Sequence, residues 1–587
     1  MVESGPFQPS AEPHVLRIGS RGSPLALAQA GLVADALARR GVATAINVIS
    51  TAGDTRAPDT SWGEGAFVTA IEAALAEGGI DVAVHSAKDL PTDEDRRLLI
   101  AAFLPRAPAG DVLVLPTGAA RVDSIAELPS GARVGTDSPR RTAFLRAERP
   151  DLVFHPLHGN VDTRLRRLDD GNSDVLVLAE AGLERLGRGE RVSLRLDPTL
   201  VPPAPGQGAL AVQVRAGDAT TFKTVEALDD LHTRRAVEAE RDLLAATDGG
   251  CRAPIGALAR SDDDGLSLVA GYAREDGSVR VIVNGRIDAP SGAAATDDPD
   301  HRLTLDALHE LADKAARAAM ALHEPPVIVT RAADQAPALA LALVDRGLAP
   351  LVVPAIEIEP GDNDRIDDAL EHFLSYDWVV VTSANTVAAL EAGARRTGAD
   401  LAGLGATGPR WAAVGNATRR SLARVGVAAA FVPAASSAGA LADALPIEAG
   451  DRVLFPRSDV AEQGPIDRLA ARGARVDAPV AYRTLEAPES SVARLRDAIE
   501  LGPVATILTS GSTARGFLAL AKTIGAAGRV LAIPAICIGP ETTRGAEKLG
   551  YRVTAAGPMQ RVGGIAELVA LALSQFDAQD SRLEVIR

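Results

Sequence analysis

Apolar positions along the chain recur at two spacings. Short runs of apolar residues end in Gly/Ser/Thr turns, and each turn opens a stretch whose apolar residues return every three or four positions. That alternation predicts strands followed by helices. Val15 to Ile18 is the first strand, and Gly19-Ser20-Arg21-Gly22-Ser23-Pro24 is its turn. Ser23 suits an N-cap and Pro24 the first helical position; the helix then spans Leu25 to Arg40, and Gly41 stops it. Strands follow at Ile46–Ser50, Ile80–Val84, Ala132–Gly135, Val175–Ala179 and Ala209–Val214, with helices at Phe67–Glu77 and Thr233–Thr247. Leu266–Ala273 and Arg280–Ile287 read as longer strands before a helix from Leu303 to Leu322. The prolines of His323-Glu324-Pro325-Pro326 end that helix and mark a boundary, after which Val327–Thr330 starts a new strand.

The second half contains an internal repeat. Val379 to Thr386 is matched by Thr506 to Thr513, and further on Ala413 to Thr418 is matched by Ile536 to Thr543. Each copy predicts strand, Ser/Thr/Gly turn and helix, twice over. The expectation is two similar parallel α/β lobes facing each other across a cleft, with helix N-termini pointing inward. Ser and Thr at such turns also serve as plain helix caps.

Composition narrows the picture. A chain of 587 residues with 47% hydrophobic and 3% aromatic content is an Ala/Val/Leu-rich globular protein of several domains. Its two cysteines, Cys251 and Cys537, argue against a disulfide framework and for a reducing compartment. Met1 to Pro13 lacks the features of a secretory signal, and no apolar run is long enough for a membrane span, so a cytoplasmic location without membrane contact is expected. A net charge of −16 speaks against nucleic-acid binding. No Cys/His cluster suggests a metal.

Three stretches carry candidate chemistry. The strand ending at Val84 leads into His85-Ser86-Ala87-Lys88-Asp89, where open α/β sheets place ligands; His85 itself reads as structural. At Ser138-Pro139-Arg140-Arg141 a cap and a proline start a helix with two arginines in its first turn, opposed to the helix dipole unless an anion is expected there. Arg146, Arg149, Arg164, Arg166 and Arg167 extend that basic region, which suits small polyanions. Finally, Asp248-Gly249-Gly250-Cys251-Arg252 leaves a cysteine at a loop tip beside an arginine, where a thiol ionises readily enough to carry a covalent group; a small buried hydrophobe is the alternative.

Six motifs in one order then add up to a family: Ile18 to Ala26, Val84 to Pro91, Gly135 to Arg141, Gly159 to Leu165, Pro205 to Ala209 and Gly249 to Gly256. Over about Val15 to His323 the chain closely resembles porphobilinogen deaminase, also called hydroxymethylbilane synthase. The resemblance implies two lobes like type II periplasmic binding proteins plus a small α+β domain. It implies a dipyrromethane cofactor attached to Cys251 through a thioether. Asp89, with Lys88 beside it, would stabilise the azafulvenium cation formed as porphobilinogen loses ammonia. Arg21, Lys88, Arg140, Arg141, Arg164 and Arg185 would bind acetate and propionate groups, with Ser23 and Ser138 adding hydrogen bonds. Four condensations and a hydrolysis would give hydroxymethylbilane. The chain departs from the family pattern at Glu64 and Thr69, where many relatives have lysines, at His158, commonly arginine, and at Asp137, commonly serine. Each departure removes positive charge or adds negative charge.

Pro326 to Leu573 resembles uroporphyrinogen-III synthase through Thr330-Arg331, Pro354, Thr382-Ser383, Gly415, Pro456-Arg457-Ser458, Tyr482-Arg483-Thr484, Thr509-Ser510-Gly511 and Gly539. The resemblance implies ring closure of hydroxymethylbilane with inversion of its last ring and loss of water, without metal or prosthetic group. Tyr482 would assist departure of the hydroxyl; Thr382, Ser383, Ser510, Gly511 and Ser512 would hold substrate carboxylates. The expected fold is α/β throughout: a three-domain deaminase followed by a two-lobed Rossmann-like synthase, acting as a monomer on small molecules. Expected boundaries are a tail at 1–14, deaminase domain 1 at 15–108 and 206–228, domain 2 at 109–205 and domain 3 at 229–323. The synthase lobes follow at 326–360 with 484–573 and at 361–483, then a tail at 574–587. Two other readings stay open: a degenerate deaminase half beside an active synthase half, and a non-catalytic polyanion-binding protein with the same lobes.

Overall fold

The structure is a computed structural model. It describes residues 15–49, 68–92, 95, 97–247, 254–288, 299–399, 401–435, 437–557 and 562–579. Glu64 and the whole 248–253 stretch, Cys251 included, lie outside the described residues. The chain forms two compact units, dividing at Ala315/Ala316 within the helix Pro299–Ala321. That helix ends with His323 at φ +60°, a left-handed residue just before Glu324-Pro325.

The first unit is built on three sheets. The first has five strands in the order Thr44–Val48, Leu16–Ser20, Val82–Ser86, Leu210–Arg215 and Leu98–Phe103. Its first three strands are parallel, and Leu210–Arg215 runs against both of its neighbours. The second sheet repeats the plan with Val153–His155, Arg133–Gly135, Val175–Ala179, Asp111–Val114 and Leu194–Arg195. Here too the fourth strand, Asp111–Val114, runs antiparallel to both neighbours. The chain therefore leaves the first sheet after Phe103, builds the second, and returns at Leu210. A three-stranded antiparallel sheet, Ile255–Asp262, Gly265–Ala273 and Arg280–Asp288, completes the unit.

The strand expected at Ile80–Val84 lies at Val82–Ser86. The reason is long-range: His85 and Ser86 pair with Ala211 and Leu210 of the returning strand, which nothing local to residues 80–86 announces. The helix expected from Thr233 starts at Leu231, because Asp230 caps it by accepting from the Thr233 amide at 2.8 Å. One residue of this helix, Glu240, is fully buried and ties distant segments together. It accepts both terminal nitrogens of Arg106, at 2.7 and 2.9 Å, and the amides of Gly206 and Ala259, at 2.6 and 2.7 Å. A carboxylate with its lone pairs so fully answered is tolerated in the interior where an unpaired one is not.

The second unit has two parallel five-stranded sheets. One is ordered Ala349–Val352, Pro326–Val329, Ala505–Leu508, Ala535–Ile538, Val553–Gly557; the other Ala429–Phe431, Arg410–Ala413, Trp378–Val381, Arg452–Leu454, Arg475–Asp477. Their centres are apolar and wholly buried, as strands covered on both faces require. A small third sheet, Ile356–Pro360, Val480–Glu486 and Arg457–Ser458, runs between segments of both. The internal repeat appears as Trp378–Val381 with helix Ala384–Thr397 and Ala505–Leu508 with helix Gly511–Thr523.

Candidate functional site

In the first unit the candidate residues sit on turns at strand ends. Ala87–Asp89 forms one 3₁₀ turn directly after Val82–Ser86, so Lys88 and Asp89 project from the strand's carboxyl end. Lys88 Nζ donates to Gln207 Oε1 at 3.2 Å. Burial pushes its ammonium down to about 8, with Arg141 and Arg140 adding to the fall and Asp89 and Asp111 opposing it. Asp89 is exposed. Surrounding protein pushes its carboxyl up, while Lys88 and Arg21 pull it down. Water reaches the carboxylate itself, so the upward push is partly screened.

Ser23 caps Pro24–Ala38, accepting from the Ala26 amide at 3.3 Å. Ser138 likewise caps Pro139–Glu148, accepting from the Arg141 amide at 3.4 Å. The anion that answers Arg140 and Arg141 is Asp111, a residue of this chain. Asp111 is fully buried at the head of its strand; Arg140 Nη2 reaches Oδ2 at 2.8 Å, and Arg141 reaches Oδ1 through Nη2 at 2.7 Å and Nε at 3.1 Å. The guanidinium groups are only 4% and 7% exposed as whole residues, and they also donate to the Pro202 and Val177 carbonyls. The conflict between cationic side chains and helix dipole is thus resolved inside the protein.

Gln207 joins the two halves of this arrangement. Besides accepting from Lys88, it donates to Asp111 Oδ1 at 2.9 Å and to the Ala109 carbonyl at 2.8 Å. Its motif was legible, but nothing in the sequence assigned it this role, and Asp111 gave only the weak signal of one acid heading an apolar strand. Arg185 donates to the Gly208 carbonyl at 2.6 Å, and burial pushes it down to about 10. Arg164 donates to the Gly159 carbonyl at 2.8 Å and to Asp137 Oδ2 at 3.1 Å. Burial and the nearby Arg141 push Arg164 down, and Asp137 opposes this.

In the second unit Ser383 caps Ala384–Thr397 and Ser510 caps Gly511–Thr523, each accepting from the amide three residues on at 3.1 Å. Ser510 also meets Ser512 at 3.0 Å, with Gly511 between them. Thr382 is half-buried just before the first cap. Ser383 Oγ further donates to the Tyr482 hydroxyl at 3.1 Å, so Tyr482 and the first cap are brought together. Both helices pack on the strand that carries Tyr482. Asn385, in the first turn of Ala384–Thr397, accepts from Gln335 Nε2 at 3.2 Å. Gln335 follows the Pro326–Val329 strand of the other sheet, so the two lobes touch near this cap, a contact that sequence periodicity does not reveal. Among the described residues no group of three or more His, Cys, Asp or Glu could hold a metal, and no helix is long and apolar enough to cross a membrane.

Residues 16–223 match the family model of the porphobilinogen deaminase dipyrromethane cofactor binding domain, and 234–299 that of the porphobilinogen deaminase C-terminal domain. A porphobilinogen deaminase of Mycobacterium leprae is 47% identical over 281 residues, covering 46% of this chain and 88% of that protein. One from Mycolicibacterium paratuberculosis is 45% identical over 323 residues, covering 53% of this chain and 99% of that protein. The chain belongs to the porphobilinogen deaminase family. Beyond the deaminase region, residues 337–566 match the family model of uroporphyrinogen-III synthase. A solved uroporphyrinogen-III synthase from Thermus thermophilus is 19% identical, with a TM-score of 0.34 and coverage of 43% of this chain and 99% of that one. The chain thus carries both domains of a bifunctional tetrapyrrole-biosynthesis enzyme.

Proposed function

We propose that the first half joins porphobilinogen units into hydroxymethylbilane with release of ammonia, and that the second half closes this bilane to uroporphyrinogen III with loss of water. What supports the first step is the Lys88–Asp89 turn: an accessible carboxylate flanked by two cations, Lys88 and Arg21, that favour its ionised form. A carboxylate fixed in advance lowers the energy of a cation developing on porphobilinogen as ammonia departs.

The donor set fits a polyanionic dipyrromethane. Burial pushes both Lys88 and Arg164 down, and the nearby Arg141 adds to each fall, so cations gather here where they are poorly solvated and an incoming anion is favoured. Cys251 would anchor the cofactor, and Arg21, Ser23, Ser138, Arg140, Arg141, Arg164 and Arg185 would hold its carboxylates. When bound, the cofactor supplies the pyrrole from which the chain is extended. In the second half the Ser383 hydrogen bond occupies a lone pair of the Tyr482 hydroxyl. The phenol proton is then directed away from Ser383, where it can be given to the departing hydroxyl of the bilane. Thr382, Ser510, Gly511 and Ser512 line the neighbouring helix N-termini, where carboxylates bind well. We place the chain in the cytoplasm as a monomer; a buried free Cys537 suits a reducing compartment.

Intact-mass measurement tests the first half: protein from porphobilinogen-competent cells should carry a two-pyrrole increment that is absent from Cys251→Ser. Without that increment the deaminase reading fails. Isomer analysis tests the second half, since predominantly type I porphyrin from porphobilinogen contradicts synthase activity. Tyr482→Phe should slow ring closure on the order of 10²-fold, the scale of a lost proton donor, and so shift the product toward type I.

A further inference from the structure

In the second lobe of the first unit the pair Arg140 and Arg141, and the single Arg164, each already hold a carboxylate of the chain, but the two sites differ in depth. Asp111 is sealed beneath Arg140 and Arg141 and cannot leave them. Asp137 lies at the surface of the same region, its side chain 24% exposed, as does its partner Arg164 at 26%. Its second oxygen, Oδ1, makes no hydrogen bond, and His158 Nδ1 stands 3.0 Å from it without hydrogen-bond geometry. His158 is itself held in place: Arg167 Nη1 donates to its carbonyl at 3.0 Å. Arg164 is anchored through Nε to the Gly159 carbonyl, which leaves the Nη2 edge bound to Asp137 as the part that can exchange partners.

We infer that Asp137 is a built-in competitor for Arg164, so that a carboxylate of the pyrrole substrate binds there by displacing it. This rests on Arg164 being a carboxylate site, as proposed above. Displacement costs little because the Asp137–Arg164 contact is a single hydrogen bond between side chains about a quarter exposed, while the other oxygen of Asp137 is buried without a partner in the present position. Asp137 need not be stranded, because His158 Nδ1 already stands 3.0 Å from its other oxygen. Asp137 and His158 therefore set affinity for the incoming carboxylate without touching the atoms that react.

Two readouts separate this from a general change in charge. One is the porphobilinogen concentration at which half of the cofactor-free full-length chain gains the two-pyrrole mass increment; the other is KM against kcat in the loaded enzyme. Asp137→Asn should lower both the half-loading concentration and KM by about three- to tenfold, the scale of one weak ion pair, with the change in KM and not in kcat. In an Arg164→Ala background the same substitution should change neither. Unchanged or weaker binding in Asp137→Asn overturns the inference, and so does an equal gain without Arg164. If Arg164→Ala alone leaves both values unchanged, Arg164 is no carboxylate site, and the underlying reading fails instead. Asp137→Ser, smaller and also uncharged, should reproduce the Asn result; a gain confined to one of the two variants overturns the inference.

Discussion

Asp89→Asn is expected to slow porphobilinogen consumption on the order of 10²- to 10³-fold while leaving the second half's conversion of supplied hydroxymethylbilane unchanged. The magnitude is that of removing one preorganised group facing a developing charge. Asparagine keeps the shape and one acceptor, so the loss isolates the negative charge. The turn should survive, because its own backbone bond, Leu90 amide to Ala87 carbonyl at 3.3 Å, does not involve the Asp89 side chain. The pH profile provides an independent check. The reactive form needs Asp89 ionised and Lys88 charged. Asp89 is pushed up by its surroundings, so the acid limb should lie above the ordinary carboxylate range. Lys88 is pushed down to about 8, so activity should fall as pH rises through about 8. Gln207→Leu removes the acceptor that holds Lys88 and should alter the alkaline limb, together with some loss of stability because Asp111 Oδ1 loses the same amide. A flat profile between pH 6 and 9, or an Asp89→Asn enzyme within about tenfold of the parent, would rule out this use of the turn.

The sequence made the strand–turn–helix units visible because their signals are local: Ser23 before Pro24, Ser138 before Pro139, Ser383 and Ser510 before their helices. Each of these serines is indeed a cap. What it could not show was where distant strands meet. The shift of the strand to Val82–Ser86 follows from the pairing of Ser86 with Leu210, more than a hundred residues away. The site divides along the same line. Lys88 and Asp89 are adjacent in sequence and remained so in space. Arg140 and Arg141 pointed to an anion, and one anion they meet is Asp111, which no spacing rule connects to them. Gln207 and the Gln335–Asn385 contact belong to the same class, being polar pairs made by topology. Cys251, on which the covalent attachment depends, lies outside the described residues, so its role rests on the motif around it.

Asp111→Ala should produce the largest loss of stability in the first unit, about 3–5 kcal/mol or more, because it leaves two buried guanidinium groups without their carboxylate. Burial by itself would push the Asp111 carboxyl up, but Arg140, Arg141 and the Gln207 amide hold it well below the usual carboxylate range. A folded-state pKa depressed in this way contributes stability that is fully present above the unfolded value of about 4 and is lost as pH falls below it. The parent protein should therefore lose first-unit stability on acidification more steeply than Asp111→Ala, whose curve lacks this contribution. Calorimetry can resolve the unit's transition, and in a Trp62→Phe background the emission of Trp378 and Trp411, both buried in the second unit, gives a fluorescence control that should not move. Asp111→Asn should be intermediate, since an amide can still accept from one guanidinium but carries no charge to balance two. Activity should fall together with stability, because Asp111 also steadies Gln207, and Gln207 holds Lys88 beside Asp89. A variant that melts like the parent would mean that Arg140 and Arg141 had found other anions or water.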